Sequence, residues 1–317
     1  MGKFKYIGWD VKLMNAKDKL LITGASGFTG YHAYEYFSKL DLDIIAITKQ
    51  RNFCYKKIKT IQCNLSNKEA IKDLIKQIKP NYVLHLAGQN AVGQSWKDPL
   101  NTLEVNVMGT AYLIEALRQE APDCKTVIVS SALQFNPTSI STFNHPYGLS
   151  KTIQSIISQF WAISYNMHIV VAKPSNLIGP GFSTGVCSIF AQRIVNMERE
   201  KEEKFLNVSN LNNHLDFLDV RDAVRAYDFL LTKGKSGDIY DVSSGKSRSL
   251  EEIINIFRKT TTIQFQTKVN DQSPLINHVD LYPLSLIELG WQPTIPLETT
   301  IKDIVDFYRQ QVDDLNN

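Results

Sequence analysis

Cysteine and histidine are scarce in this chain of 317 residues, and neither is clustered. The four cysteines stand far apart without a C-x-x-C pair, and the six histidines are equally scattered. Structural zinc sites and disulfide frameworks need ligands or cysteines at characteristic spacings. We therefore expect neither a metal site nor a disulfide framework. Cys63 and Cys124, which flank apolar segments, are expected to be small core residues.

A strong charge and a long apolar run are also missing. The net charge is only +3, and short basic clusters such as Lys56-Lys57 are typical of solvated surfaces rather than of a nucleic-acid interface. No apolar run is long enough to span a bilayer, and residues 1–19 lack the continuous apolar core of a signal peptide. We expect a cytoplasmic protein that binds neither nucleic acid nor membrane.

Glycine is not abundant, but three of the 16 glycines fall in one short stretch. Three apolar residues from Leu20 lead into glycines at 24, 27 and 30, and an amphipathic segment follows. This pattern predicts a buried strand, a tight turn and a helix start, where backbone amides and the helix dipole can bind a pyrophosphate. Such a turn can also serve packing alone. The predicted dinucleotide contacts are Gly24, Ser26, Gly27, Phe28, Thr29 and Gly30.

Strand-like and helix-like segments alternate through the first half of the chain. Apolar segments at 43–48, 58–65 and 82–86 are typical of buried strands, and residues 67–78 have helical apolar spacing. This alternation indicates a parallel sheet covered by helices on both faces. The predicted fold class is α/β, a doubly wound parallel sheet of the Rossmann type.

The end of the second predicted strand bears on the choice between the two nicotinamide dinucleotides. An acidic residue about 20 residues after the glycines would accept hydrogen bonds from a ribose diol. This chain instead has Thr48-Lys49-Gln50-Arg51-Asn52. Two cations without a carboxylate suit a 2′-phosphate, so NADPH is favoured over NADH, although NAD stays possible. The alternative is an ordinary basic surface loop.

The next pattern combines a serine at the end of a buried strand with a tyrosine and a lysine on the helix that follows. The apolar strand at 126–129 ends in two serines, the second of which is Ser131, and Pro146 suits a helix start. Tyr147 and Lys151 are then at i and i+4 on one helix face. A lysine beside a phenol favours the phenolate and lowers its pKa. Such a tyrosine can give a proton to a carbonyl oxygen that Ser131 holds by a hydrogen bond.

Further motifs resemble the extended short-chain dehydrogenase/reductase (NAD-dependent epimerase/dehydratase) family. They are H-L-A-G-Q at 85–89, D-P at 98–99, N-V-M-G-T at 106–110, K-P-S-N-L-I-G-P-G at 173–181 and D-F-L-D-V-R-D at 216–222. With the glycine turn and the Ser-Tyr-Lys pattern, the resemblance extends over about residues 19–310. It is strongest to the reductases and dehydratases of nucleotide-diphosphate 4-keto-6-deoxy sugars, particularly the GDP-4-keto-6-deoxymannose reductases.

The resemblance implies a catalytic triad of Ser131, Tyr147 and Lys151. It implies further cofactor contacts at Lys49, Arg51, Asn64, Leu65, Leu86, Ala87, Gly88, Gln89, Asn106, Ser130, Tyr147, Lys151 and Pro174. It implies substrate contacts at Gln89, Ser131, Asn176, Lys173 and Arg193.

The resemblance also implies a division of the chain into domains. Residues 18–175 and about 215–243 would form an NAD(P)-binding Rossmann domain. Residues 176–214 and 244–317 would form a smaller C-terminal α/β lobe for the substrate, and 1–17 an N-terminal extension. Helices from Asn106 and from Tyr147 would pair across a homodimer, although core packing within one subunit explains their apolar residues equally well.

One departure from the family pattern concerns the reaction. Sugar 4,6-dehydratases of the family carry an acidic residue one or two places after the strand-end hydroxyl. Here Ala132 and Leu133 follow Ser131. We therefore expect ketone reduction rather than dehydration, because no carboxylate is available to remove a C5 proton.

A second departure concerns the diphosphate of the substrate. The family's two diphosphate-binding arginines are replaced here by Leu215 and by residues around Asp271. A diphosphate without a bidentate arginine loses strong charge-assisted hydrogen bonds. Lys173, Arg193 and Lys204 are the candidates to compensate.

Three functions follow from these patterns. The preferred one is NADPH-dependent reduction of the C4 keto group of a GDP- or UDP-linked 4-keto-6-deoxyhexose, in the synthesis of surface-polysaccharide sugars. An alternative is a nucleotide-sugar 4-epimerase that uses the same triad with tightly bound NAD. A non-catalytic dinucleotide-binding module is the third, and the intact triad argues against it.

Overall fold

A seven-stranded parallel sheet forms the centre of the larger part of the molecule. The computed structural model describes residues 18–49, 59–138, 145–208, 210–269 and 281–314. The strands are β1 (Lys19–Thr23), β2 (Asp43–Thr48), β3 (Lys59–Gln62), β4 (Tyr82–His85), β5 (Lys125–Val129), β6 (Ile169–Pro174) and β10 (Ile239–Val242). They lie in the order β3-β2-β1-β4-β5-β6-β10, which confirms the predicted doubly wound sheet. The strand order reverses between β1 and β4, where such sheets bind ligands.

Helices cover both faces of this sheet. One face carries α1 (Phe28–Phe37) and α8 (Val220–Lys233), and the other carries α2 (Lys68–Ile78), α5 (Gly109–Glu120) and α6 (Pro146–Ser164). In β1, Leu20 and Ile22 belong to the core on the first face, whereas Leu21 belongs to the core on the second. All three are fully buried, so the strand is a continuous apolar run rather than an alternating one.

The helix predicted to start at Asn106 is part of a longer helical segment that begins at Pro99 and is interrupted by a π-helical turn. Two short helices, α3 (Val92–Lys97) and α4 (Pro99–Leu103), lead into a π-helical turn (Glu104–Met108), and α5 follows. Asn106 lies inside this turn and is fully buried. Single π-helical turns within helices frequently occur at functional sites.

A second hydrophobic core lies outside the central sheet. It is formed by α7 (Val186–Glu198), α9 (Leu250–Thr260) and α11 (Leu297–Asp314) with residues of small sheets. These sheets have the orders β11-β9-β7 and β12-β8, from β7 (Asn176–Ile178), β8 (Phe205–Val208), β9 (His214–Asp219), β11 (Ser247–Ser249) and β12 (Gln266–Val269). A short helix, α10 (Leu284–Glu288), packs against β10. No helix in the described ranges is long and apolar enough to cross a membrane.

Candidate active site

The glycine turn joins β1 to α1 beside the point where the strand order reverses. Gly24 has a φ of +69°, and a Cβ there would lie 2.6 Å from the Ala87 backbone nitrogen. A Cβ on Gly30 would lie 2.4 Å from the Gly24 oxygen. Close packing therefore requires both glycines. Gly27 is the N-cap of α1 and makes no side-chain cap, so the first amides of the helix can bind an anion.

A cleft of about 1140 Å³ runs from this turn to the second hydrophobic core. Most of the predicted contacts line it: Gly24, Ser26, Gly27, Phe28, Thr29, Gly30, Lys49, Asn64, Leu65, Leu86, Ala87, Gly88, Ser130, Ser131, Tyr147, Lys151, Pro174 and Asn176. Ligand pockets usually have volumes of about 300–1,000 Å³. The cleft is therefore somewhat larger than a usual site for a single small molecule.

Other predicted contacts do not line this cleft. They are Gln89, Asn106, Lys173 and Arg193. Lys173 forms an ion pair with Asp241, with Nζ 2.7 Å from the carboxylate oxygen, and this pair joins β6 to β10. The Lys173 ammonium is thus paired with a neighbouring strand, and its contact with a substrate stays a prediction. Arg51 and Asp271 lie outside the described residues.

Asn106 acts on the cleft through its neighbours. Its Oδ1 accepts a hydrogen bond from the Gln89 amide at 2.7 Å, and its Nδ2 donates to the Gln89 carbonyl and to Ser150 Oγ, each at 2.9 Å. A Cβ on Gly88 would lie 3.0 Å from Asn106 Oδ1. Asn106 therefore fixes the loop after β4 against α6, and that loop in turn lines the cleft.

Ser131, Tyr147 and Lys151 come together in the cleft. Ser131 follows the carboxyl end of β5, and the other two lie one turn apart at the start of α6. The start of α6 is fixed locally, because His145 Nδ1 accepts a hydrogen bond from the Gly148 amide at 2.8 Å and proline occupies the first helical turn. All three predicted catalytic side chains are buried.

The ionisation of the triad differs from the prediction. Burial raises the pKa of Tyr147, and a hydrogen bond with Ser131 opposes this rise only in part. The predicted net lowering of the Tyr147 pKa is wrong, because burial outweighs the groups that favour the phenolate. Lys151 Nζ donates to the Val129 carbonyl at 3.0 Å and to Gln154 Oε1 at 2.9 Å. Burial also lowers the pKa of Lys151 to about 7, which reduces its positive charge near neutral pH.

The described lining of the cleft contains no carboxylate. Its lysines are Lys49, at the carboxyl end of β2, and Lys151. An adjoining cavity of about 100 Å³ contains Asp216 and also reaches Ser131. The Asp216 carboxylate accepts three hydrogen bonds, from the Ser244 amide and hydroxyl and from the Lys246 amide, at 2.8 to 3.1 Å. These contacts give Asp216 a structural role.

Several residues at the far end of the cleft were not anticipated from the sequence. Phe182, Gln192 and Tyr308 line the cleft beside the second core. Phe182 is 70% exposed and lies edge-on to Phe307, with ring centroids 5.2 Å apart. These residues come from two distant segments that share no motif, so no local signal in the sequence could have identified them together.

Known proteins resemble this chain over both of its cores. The model of the NAD dependent epimerase/dehydratase family matches residues 20–243. GDP-6-deoxy-D-mannose reductase from Pseudomonas aeruginosa is 26% identical over 314 residues, covering 93% of this chain and 98% of that protein. Human dTDP-D-glucose 4,6-dehydratase is 25% identical over 338 residues, covering 94% and 92%. The structure of RMD from Pseudomonas aeruginosa complexed with NADPH has a TM-score of 0.80 at 26% identity, over 93% of this chain and 98% of that one.

The residues that match the family model include the glycine turn and all three residues of the triad. The uncapped N-terminus of α1 and the size of the cleft fit a nicotinamide dinucleotide, whose pyrophosphate would lie on the first amides of the helix. The chain therefore belongs to the NAD dependent epimerase/dehydratase family.

Proposed function

We propose that the protein reduces the C4 keto group of a GDP- or UDP-linked 4-keto-6-deoxyhexose with NADPH. The observation that carries this proposal is a cleft that combines Ser131, Tyr147 and Lys151 with no carboxylate in its described lining. Dehydration needs a base that removes a proton from carbon, whereas ketone reduction needs only a proton donor for the oxygen. The likeness to GDP-6-deoxy-D-mannose reductase supports the same choice.

In the proposed reaction Tyr147 gives its phenolic proton to the carbonyl oxygen of the substrate. This role needs a phenol that carries its proton at neutral pH, and burial, which raises the pKa of Tyr147, keeps the phenol protonated there. Ser131 Oγ accepts a hydrogen bond from the Leu133 amide at 3.1 Å, which orients its hydroxyl. That hydroxyl donates to the same carbonyl oxygen and stabilises the charge that develops there. The nicotinamide, when bound, supplies the hydride.

Lys49 supports NADPH as the cofactor. It is exposed at the carboxyl end of β2 and lines the cleft beside Asn64. An ammonium at this place can form a charge-assisted hydrogen bond with a 2′-phosphate. The NADPH in the RMD complex is consistent with this proposal.

The sugar is proposed to lie beside Ser175. The Ser175 hydroxyl is buried and has no hydrogen-bond partner among the described residues. Ser175 lines both the large cleft and the small cavity next to Ser131. Since a buried hydroxyl without a partner is costly, a hydroxyl group of the sugar is a suitable partner.

The nucleotide is proposed to lie between α7 and the loop before it. Leu215, which replaces a family arginine, is half-buried and carries no charge for a diphosphate. Gly185 is the N-cap of α7 and makes no side-chain cap, so the amides of this helix are available to an anion. The exposed ring of Phe182 offers a face on which a base can stack.

A panel of nucleotide sugars tests the proposed activity. GDP-, UDP- and dTDP-linked 4-keto-6-deoxyhexoses are each incubated with NADPH, and the absorbance of NADPH is followed while NMR identifies the product. We expect stoichiometric NADPH consumption and a 6-deoxyhexose product with the GDP or UDP compound. If no member of the panel is reduced faster than the protein-free control, the proposal is wrong.

A 4-epimerase with tightly bound NAD is the second candidate, since the family includes epimerases and the triad serves both reactions. An epimerase would retain NAD through purification and interconvert 4-epimers without net consumption of cofactor. Lys49 favours the reductase because NAD lacks a 2′-phosphate for it to bind. Analysis of the nucleotide released on heating the purified protein separates the two candidates.

We propose further that the outer face of α6 forms a homodimer. Ile156, Phe160 and Ile163 recur at helical spacing and are 48%, 54% and 74% exposed. Ile157, the residue after Ile156, instead packs against the core. An exposed apolar patch of this kind is typical of a protein–protein interface. Sedimentation of the wild-type protein should give a dimer, and Phe160→Asp should give a monomer.

A further inference from the structure

A buried amide lies behind the lysine of the triad. Gln154 is fully buried, one turn after Lys151 on α6. Its Oε1 accepts a hydrogen bond from Lys151 Nζ at 2.9 Å, and its Nε2 donates to Thr110 Oγ1 at 2.7 Å. Thr110 belongs to the first turn of α5. Gln154 therefore connects the catalytic lysine to a second helix under the sheet.

The neighbouring groups determine which way this amide points. An ammonium only donates hydrogen bonds, so the amide oxygen must face Lys151. The Thr110 hydroxyl donates to the Asn106 carbonyl at 2.7 Å, so it accepts from the amide nitrogen of Gln154. Glutamine satisfies both neighbours. A glutamate has no donor for Thr110, and an aliphatic residue satisfies neither neighbour.

The hydrogen bonds continue from Thr110 to the end of β1. Thr110 Oγ1 lies 2.9 Å from His85 Nε2, and His85 Nδ1 lies 2.7 Å from Thr23 Oγ1. Because the Thr110 proton is already donated, Nε2 must carry the hydrogen, and Nδ1 accepts from Thr23. Thr23 in turn accepts from the Ala87 amide at 3.2 Å. Burial, with a smaller effect of Lys151, lowers the pKa of His85 to about 3, so this ring is neutral.

The described groups that face the Lys151 amine are therefore uncharged at neutral pH. The Val129 carbonyl from β5 and the Gln154 amide from α6 accept from the amine. The Tyr147 phenol lines the same cleft, and the His85 ring from β4 lies beyond Thr110. The carbonyl and the amide take two of the three N–H groups of an ammonium. The third is left for the cleft, which Lys151 lines.

We propose that Gln154 is a positioning residue, whose neutral amide aims the Lys151 amine into the cleft and leaves the charge of that amine to the reacting groups. The proposal rests on the proposed function in that it takes Lys151 to assist Tyr147. It predicts that residue 154 controls the protonation of the lysine. A carboxylate there would favour the ammonium and raise the pKa of Lys151, whereas an apolar residue would remove an acceptor and lower it.

The test follows the titration of Lys151 in the full-length protein by NMR with ¹³Cε-labelled lysine. The Lys151 signal is assigned from its absence in Lys151→Met. In the wild type we expect titration near the pKa of about 7. Gln154→Glu should move it upward by about one unit or more, and Gln154→Met should move it downward. Ser158→Ala is the control. Ser158 is buried on the same helix, and its hydroxyl donates to the main-chain carbonyl of Gln154 at 2.7 Å, not to the side-chain amide.

Titration curves of both Gln154 variants within about 0.3 unit of the wild type would overturn the proposal. Thermal unfolding shows which variants fold. If Gln154→Glu does not fold, the proposal is decided by whether the Lys151 pKa moves downward in Gln154→Met. With an active substrate, the alkaline limb of the kcat/KM profile should move in the same directions as the titrations. The NMR experiment contains no sugar, so it can be interpreted even if no sugar in the panel is reduced. The proposed reductase activity and the proposed role of Gln154 can therefore fail independently.

Discussion

The two ends of the cleft are constructed in different ways. The cofactor end is made of short segments that each follow a strand of one sheet, and there most of the motif residues line the cleft. The proposed substrate end is made by β7, α7, α11 and the loop before α7, and there Asn176 on β7 lines the cleft whereas Arg193 on α7 does not. Strand ends of a parallel sheet share one edge, so a motif there has a fixed place. Residues on helices of the second core are placed by packing between distant segments.

We expect the strongest loss of activity from a substitution at Tyr147, which lies between the two ends of the cleft. Tyr147→Phe removes the proposed proton donor, so kcat should fall by about 10²–10⁴-fold. NADPH affinity should stay within about twofold, because the ring still fills its place. Steady-state kinetics and NADPH fluorescence titration measure these values. Tyr165→Phe, at an exposed tyrosine after α6, is the control; a kcat loss no greater than in that control would contradict the assignment.

Gly30→Ala should disturb the cofactor end alone. Its Cβ would lie 2.4 Å from the Gly24 oxygen, so the turn must shift, at a cost of about 1–3 kcal/mol in the free energy of unfolding. NADPH affinity should fall by about tenfold or more for the same reason. Gly93→Ala is the matched control, because a Cβ there meets nothing within 4 Å. Urea unfolding and NADPH titration should distinguish the variants; equal effects would mean that the turn is not constrained.

Lys49→Gln should separate NADPH from NADH at the cofactor end. Loss of a charge-assisted hydrogen bond, about 1.5–3 kcal/mol, should weaken NADPH binding by about tenfold or more and leave NADH binding nearly unchanged. Fluorescence titration with both cofactors gives the ratio. Lys76→Gln, at an exposed lysine of α2 that does not line the cleft, is the control. Equal losses of affinity for NADPH and NADH would contradict the proposal that Lys49 binds the 2′-phosphate.

The smallest expected effect addresses the substrate end. Phe182→Ala should raise KM for the nucleotide sugar by about fivefold, since base–aromatic stacking is worth about 1 kcal/mol or more, and should not change NADPH affinity. Arg193→Ala should change KM by less than about twofold, because Arg193 does not line the cleft. Initial rates with the reduced member of the sugar panel measure both. A larger effect at Arg193 than at Phe182 would reverse this description of the substrate end.

The sequence was informative wherever a local pattern was sufficient. The helix predicted at 67–78 is Lys68–Ile78, capped by Asn67, whose side chain accepts from the Ala70 amide. The glycine turn, the strand-end serine and the Tyr147 helix were likewise placed correctly at one cleft. Each depends on apolar periodicity, a cap or a turn, which a few neighbouring residues specify.

The sequence could not show how deeply the side chains of the site are buried or which distant residues they contact. Tyr147 and Lys151 are one helical turn apart as predicted, yet burial raises the pKa of the phenol and lowers that of the lysine. The lysine donates to Val129 and Gln154, which the sequence did not indicate. Asn106 was predicted at the cofactor but lies behind the loop that it fixes. The sequence alone was therefore sufficient for the sheet, the turn and the meeting of Ser131, Tyr147 and Lys151 at one cleft, because these follow from local spacing. Only the tertiary structure decided what each side chain faces, because desolvation and hydrogen bonding depend on groups that are distant in the chain.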